Sequence, residues 1–319
     1  MTRLVKSGLK IISAVISFLV LSIILQPFFV PKFIDDSTTI VKGYSYLEEN
    51  SIDVLFLGAS QMFCSVDAGR LSSEYNIKAY DFGASGQPLS TTYFYLREAL
   101  KSQSPQLILV EVCEIFKPNT EYEYSLVRNY SPINCSFDKF KSLYLVSGDF
   151  SRAFTDTFVP LTTFHDRWKT LNDAQLGGQN DIEYVIFPDR FVNFSNRGYV
   201  ARDSIEKHEV AFFKHDYTER ELPEDSKKAI DNIVEECKKK NIELVFFKAP
   251  VSNWTKGDSN SVKTYMKSQR LKFIDLNEKI RDIGINSDYD FYDDRHLNSN
   301  GAKKTTDYLA PILMQYLRK

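Results

Sequence analysis

The sequence predicts an α/β fold, a doubly wound parallel sheet of about five strands with helices on both faces, preceded by one N-terminal transmembrane helix. Three observations carry this expectation. Short apolar runs of strand length (IDVLFLG, IKAYDF, QLILVEV, IELVFF and KFIDL) recur along the chain, separated by longer amphipathic stretches, and the β-α-β order favours parallel pairing. The first run is apolar without alternation and rich in β-branched and aromatic residues, which suits a strand covered on both faces. Near the start, LKIISAVISFLVLSIILQPFFV carries one glutamine and no acidic residue; about 22 residues at 1.5 Å each span a hydrocarbon core.

In order, Arg3, Lys6 and Lys10 flank or overlap the apolar run. Their charge favours a cytoplasmic N-terminus, with everything after Lys32 outside. The exit through Gln-Pro-Phe-Phe-Val-Pro-Lys favours an uncleaved anchor over a signal peptide, whose apolar region is shorter and ends in small residues. The expected organisation is therefore 1–31 as cytoplasmic end and anchor, 32–50 as linker with a short helix from about Val41 to Glu49, and 51–319 as one α/β domain. The first strand delivers Ser60 to a tight Gly58-Ala59-Ser60 turn at the carboxyl end of the sheet, where such sheets place ligands. A helix over Val66–Tyr75 follows, with Asp67 near its start, then a second strand over Ile77–Phe82 and the loop Gly83-Ala84-Ser85-Gly86-Gln87-Pro88. Thr91–Ser102 is an amphipathic helix and Gln106–Val112 a third strand.

Between 117 and 221 the periodicity weakens in an aromatic-rich insertion. It contains Phe164, Trp168, Tyr184, Phe187, Phe191, Phe194 and Tyr199, with His165, His208 and His215. Such insertions form lids or substrate grooves; an aromatic-lined groove would suit sugar rings, and a helical subdomain packing its aromatics inward is the plainer alternative. Asp225–Lys240 is an amphipathic helix ending in a solvated lysine run. Ile242–Phe247 is the fourth strand, Ser261–Gln269 a helix and Lys272–Leu276 the fifth strand. The closing helix runs from about Asn300 to Leu317, with Asn298 or Ser299 as its cap.

Composition narrows the function. Forty basic against forty-two acidic residues leave a net charge of −2, so no basic field points to nucleic acid. The four cysteines, Cys64, Cys113, Cys135 and Cys237, show no CxxC pairing and read as core or free thiols, with a Cys135–Cys237 disulfide as the alternative outside the cell. No metal set and no GxxxxGK phosphate loop is present, and no cofactor is expected. The chemistry-bearing residues are Ser60 and the late DFYDDRHLN stretch, where Asp293 stands three residues before His296, with Asp290 and Asp294 as rivals for the acidic role. A serine hydroxyl needs a base to take its proton, and that histidine needs an acceptor to orient it.

SIDVLFLGASQ, YDFGASGQPL and DFYDDRHLN together resemble the SGNH (GDSL-like) hydrolase superfamily, with Gly58-Ala59-Ser60 where that family has Gly-Asp-Ser. Within it the chain looks like membrane-anchored SGNH-like proteins of Gram-positive bacteria and is distantly similar to the D-alanine-transfer protein of teichoic acid modification. The resemblance covers 51 to the C-terminus with a poorly matched middle. It implies an SGNH-hydrolase-like (flavodoxin-like) sheet with Ser60 as nucleophile, His296 as base and acid, and Asp293 as orienting carboxylate. The backbone N–H groups of Ser60 and Gly86 would form the oxyanion hole. The family places Gly-x-Asn-Asp after the third strand, its asparagine being a third donor; this chain has Cys113-Glu114-Ile115-Phe116, which makes Gln61 and Gln87 the candidate replacements. The implied activity is that of a membrane-anchored, extracytoplasmic serine esterase or O-acyltransferase, acting on an acylated polysaccharide or teichoic-acid-like polymer, beside a membrane-bound O-acyltransferase. A non-catalytic partner or polymer-binding protein on the same fold is the alternative.

Overall fold

The computed structural model describes residues 3–29, 36–121, 125–166, 194–205 and 216–317. Trp168, Tyr184, Phe187, Phe191, His208 and His215 of the expected insertion lie outside the described residues, as does the side chain of Phe194.

Five strands form one all-parallel sheet: β1 (Val54–Gly58), β2 (Ala79–Gly83), β3 (Leu107–Glu111), β4 (Glu243–Lys248) and β5 (Phe273–Asp275), in the order β2-β1-β3-β4-β5. The central strands are sealed on both faces; Val54, Leu55, Phe56 and Leu57 are fully buried, as their unbroken apolar run requires. The chain leaves β1 toward one edge, pairs β2 there, then crosses back to β3 on the other side of β1. Right-handed crossovers put the two connecting helices on opposite faces. These are α4 (Ala68–Tyr75), which packs against the closing helix α12 (Ser299–Leu317), and α5 (Leu89–Ala99), which packs against α9 (Glu224–Lys239). The reversal opens a crevice at the carboxyl ends of β1 and β3, the topological switch point of such sheets. A four-residue helix, α3 (Ser60–Phe63), begins in that crevice.

One segment differs from expectation. The helix expected over Val41–Glu49 is α2 (Asp36–Ser45), and its Ile40 and Tyr44 are buried in the main core. Tyr44 stacks on Phe82 of β2 with centroids 4.2 Å apart and donates its hydroxyl proton to the Ala99 carbonyl, so this segment is packed onto the domain rather than linking to it. All four cysteines are free, Cys135 exposed and Cys237 buried, so the alternative disulfide between those two is not formed.

The insertion contributes α6 (Leu126–Tyr130), α7 (Phe137–Ser147) and α8 (Phe150–Phe158). Tyr130 and Leu143 face the core, but Phe137, Tyr144, Phe150, Phe154 and Phe158 form an exposed aromatic face in which stacked, tilted and edge-on ring contacts run through the half-buried Phe140. Phe164 is half-buried and Tyr199 buried. The returning segment 194–205 runs along β2, where the Asp81 N–H donates to the Arg197 carbonyl at 2.9 Å.

At the N-terminus, α1 (Arg3–Phe29) is one helix of 27 residues, about 40 Å long. Ile11, Ile12, Val15, Ile16, Phe18, Val20, Leu21 and Ile24, positions that go right round it, are all at least half exposed. Among the described residues no helix is long and apolar enough to cross a membrane; the side chains of Leu19 and Ile23, inside the apolar run of α1, fall outside that set.

Candidate active site

Ser60 is delivered by a glycine that nothing larger could replace. Gly58 ends β1 at φ +153, and a Cβ there would stand 2.9 Å from the Glu111 Cβ of β3 and 3.2 Å from that of Met62. Gly83 on β2 is equally constrained, since its Cβ would lie 2.0 Å from the Gly58 carbonyl oxygen. The turn therefore sits pressed between both neighbouring strands. Ser60 opens α3, whose first N–H groups have no acceptor within the helix.

The second half of the site comes from a clamped hairpin. Phe291 and Leu297 pair across it and are both fully buried. The Tyr292 N–H donates to the His296 carbonyl at 2.9 Å, and the Asn298 N–H to the Asp290 carbonyl at 3.0 Å. Asn298, the expected cap, accepts from the Asn300 and Gly301 N–H groups with its side chain and donates to the Tyr289 carbonyl. Helix α12 thus begins hard against the hairpin.

These two elements bring Ser60, His296 and Asp293 together across 236 residues of sequence. Ser60 Oγ is 2.8 Å from His296 Nε2, and His296 Nδ1 is 2.8 Å and 2.9 Å from the two Asp293 oxygens. Asp293 Oδ1 also accepts from the N–H groups of Arg295 and His296, at 2.8 Å each. Burial by itself lifts the Asp293 pKa, but the His296 ring and these two N–H groups outweigh it and hold the carboxyl below its usual value. An ionised carboxylate only accepts, so the proton belongs on Nδ1, and Nε2 is left with a lone pair facing the Ser60 hydroxyl. The side chains of His296 and Asp293 remain 22% and 28% exposed, so a substrate can reach them.

Of the two rival carboxylates, that of Asp290 is occupied elsewhere. Asp290 is buried, with Oδ2 2.6 Å from Lys304 Nζ and accepting from the Asn286 N–H. At Asp294 the backbone carbonyl accepts from the Ser252 hydroxyl, while the hydrogen bonds to His296 Nδ1 come from Asp293. Gly86 lies in the loop after β2 at φ +61, a left-handed conformation that suits glycine. Gln87 is buried and donates to Thr92 Oγ1 on α5, with its amide oxygen unpartnered among the described residues. Gln61 is also buried, its amide oxygen accepting from Lys248 Nζ. His165 and Asp166 are exposed on the insertion. Among the described residues no group of histidine, cysteine, aspartate or glutamate is arranged to hold a metal.

Sequence reasoning missed Glu111 and Lys248, the last residues of β3 and β4, which form an ion pair at 2.9 Å beneath the serine turn with side chains 0% and 1% exposed. A signal was present: each is a charge that directly follows an apolar stretch, LILV before Glu111 and LVFF before Lys248, and the two signs are opposite. No protein-family model and no curated protein matches the chain.

Proposed function

We propose that this chain is a membrane-anchored, extracytoplasmic SGNH-like serine esterase or O-acyltransferase acting on acyl groups of a cell-envelope glycan or teichoic-acid-like polymer. The observation that carries the reading is the hydrogen-bonded series Ser60–His296–Asp293, with an acceptor nitrogen aimed at the serine hydroxyl. In the proposed reaction His296 Nε2 takes the Ser60 proton as Oγ bonds to the acyl carbonyl carbon, and the carbonyl oxygen becomes an oxyanion. On collapse the ester C–O bond breaks, and His296 returns the proton to the departing alkoxide, leaving an acyl-serine. Water or a sugar hydroxyl then gives its proton to His296 and attacks the acyl carbon, releasing Ser60. Hydrolysis and transfer differ only in that second nucleophile. The backbone N–H groups of Ser60 and Gly86 are the proposed first oxyanion donors.

The anchor is supported by the apolar run at 9–30 and by the exposed side chains that encircle α1, a pattern that in a stable helix is either buried or in lipid. An extracytoplasmic domain follows from the basic residues preceding that run. The polymer substrate and a membrane-bound O-acyltransferase as acyl supplier rest on the resemblance to anchored SGNH-like proteins. A second reading, a non-catalytic partner or polymer-binding protein, is favoured by the exposed aromatic face of α7 and α8, which could stack on sugar rings.

The test is turnover of p-nitrophenyl acetate by the full chain in detergent. The esterase reading expects activity in the wild type that disappears in Ser60→Ala and His296→Ala. A folded wild type without activity, binding polymer equally well with or without Ser60→Ala, would favour the second reading.

A further inference from the structure

The reaction above leaves one buried charged pair without a task. Lys248 and Glu111 are sealed from solvent beneath the serine turn, and a buried ion pair is often no more stabilising than apolar side chains of the same volume. We infer that this pair is a positioning device: it fixes the amide of Gln61 with its oxygen inward, so that Gln61 Nε2 donates a hydrogen bond to the oxyanion formed when Ser60 attacks. The inference rests on the acyl-serine reading.

The geometry constrains the amide from one side only. Lys248 Nζ has three hydrogens and three acceptors: Gln61 Oε1 at 2.5 Å, Glu111 Oε1 at 2.9 Å and the Ala249 carbonyl at 3.3 Å. An ammonium donates and never accepts, so the group facing it must be the amide oxygen, and the NH2 must point the other way. Lys248 cannot swing aside. Glu111 Oε1 also accepts from the Ala249 N–H at 3.2 Å and Oε2 from the Cys113 N–H at 2.8 Å, which ties the loops after β3 and β4 to the same carboxylate. The Trp254 ring lies 5.2 Å from the ammonium.

Gln61 is only 4% exposed, yet its Nε2 has no partner among the described residues and is not sealed from solvent. A near-buried donor left unpaired carries a cost that a ligand oxygen would relieve. Gln61 follows the nucleophile directly on α3, and its amide oxygen is held by Lys248 at the carboxyl end of β4, beside Glu111 at that of β3. Gln87, the other candidate glutamine, is 1% exposed and turns its NH2 toward Thr92 of α5, to which one of the two N–H groups donates.

The experiment is steady-state turnover of p-nitrophenyl acetate by the full chain in detergent, with circular-dichroism melts to check folding. Gln61→Leu should lower kcat by ~10²–10³-fold while KM moves by less than about threefold, the pattern of an interaction made only in the transition state. Gln61→Glu keeps the acceptor for Lys248 but replaces the donor by oxygen, and should lose at least as much. Lys248→Met should lower kcat in the wild-type background and add little in the Gln61→Leu background, because both changes remove one interaction. A kcat for Gln61→Leu within about threefold of wild type, or losses that multiply in the double variant, would overturn the inference. Should Lys248→Met fail to fold, the two Gln61 variants decide alone. A wild type with no Ser60-dependent turnover sinks the acyl-serine reading and this inference with it; Ser60-dependent turnover indifferent to Gln61 sinks only the inference.

Discussion

Asp293 contributes to the site twice, by fixing the proton of His296 on Nδ1 and by tying down the hairpin through two backbone N–H groups. Asp293→Asn keeps the shape but removes the charge that sets the tautomer, and kcat is expected to fall roughly 10³–10⁴-fold with little change in KM. The same residue makes a pH-dependent contribution to stability. Its folded pKa lies below its unfolded value, so the contribution is fully present above the ordinary carboxylate range, near about 4, and is lost as pH falls through the folded value. Melts of wild type and Asp293→Asn should therefore differ at neutral pH and converge in acid; a gap that persists in acid contradicts this. These roles were legible in the sequence because DxxH places both side chains on one loop. That Asp290 serves Lys304 instead was not, since the contact depends on how α12 packs.

Strand ends decide where the chemistry sits. Gly58→Ala would force a side chain into the left-handed region and against Glu111, a strain of about 1–3 kcal/mol. The expected outcome is a lower denaturation midpoint together with slower reaction at Ser60; a variant with wild-type stability and rate would show that the turn tolerates a Cβ. On β2, Asp81 is fully buried and its carboxylate has no hydrogen-bond partner among the described residues. Burial and the charge of Asp67 push its pKa well above the usual range, while the Ala68 N–H and Arg197 pull the other way without reaching bonding geometry. A raised folded pKa means that the native state binds the extra proton, so stability is lost as pH rises above the unfolded value. Asp81→Asn should stabilise the protein at pH 7, with the gain vanishing near pH 4, about the ordinary carboxylate value. Urea melts at the two pH values check this, and an equal gain at both would refute it. The strands themselves were readable to within a residue or two, because apolar runs and glycine turns are local signals. The Glu111–Lys248 pair was not, because it depends on β3 and β4 being neighbours, and strand order is a property of the assembled sheet.

At the scale of the whole molecule, the parallel sheet and its order place a serine from residue 60 and a histidine from residue 296 in one crevice. The apolar run of α1 predicts that the chain sediments with membranes and is released by detergent but not by high salt or alkaline carbonate; release by salt alone would contradict the anchor. The fold class was legible from the alternation of apolar runs with amphipathic helices, whereas the packing of α2 onto β2 was not, since a ten-residue polar helix shows its buried face, Ser37, Ile40 and Tyr44, only against a partner. The central claim, that Ser60 is an activated nucleophile, is tested most directly by intact-mass spectrometry of the full chain in detergent after treatment with a fluorophosphonate serine probe. The account predicts a single adduct that maps to Ser60, absent from Ser60→Ala and strongly slowed in His296→Ala. A folded wild type that takes up no adduct, or one labelled equally fast without His296, would contradict it.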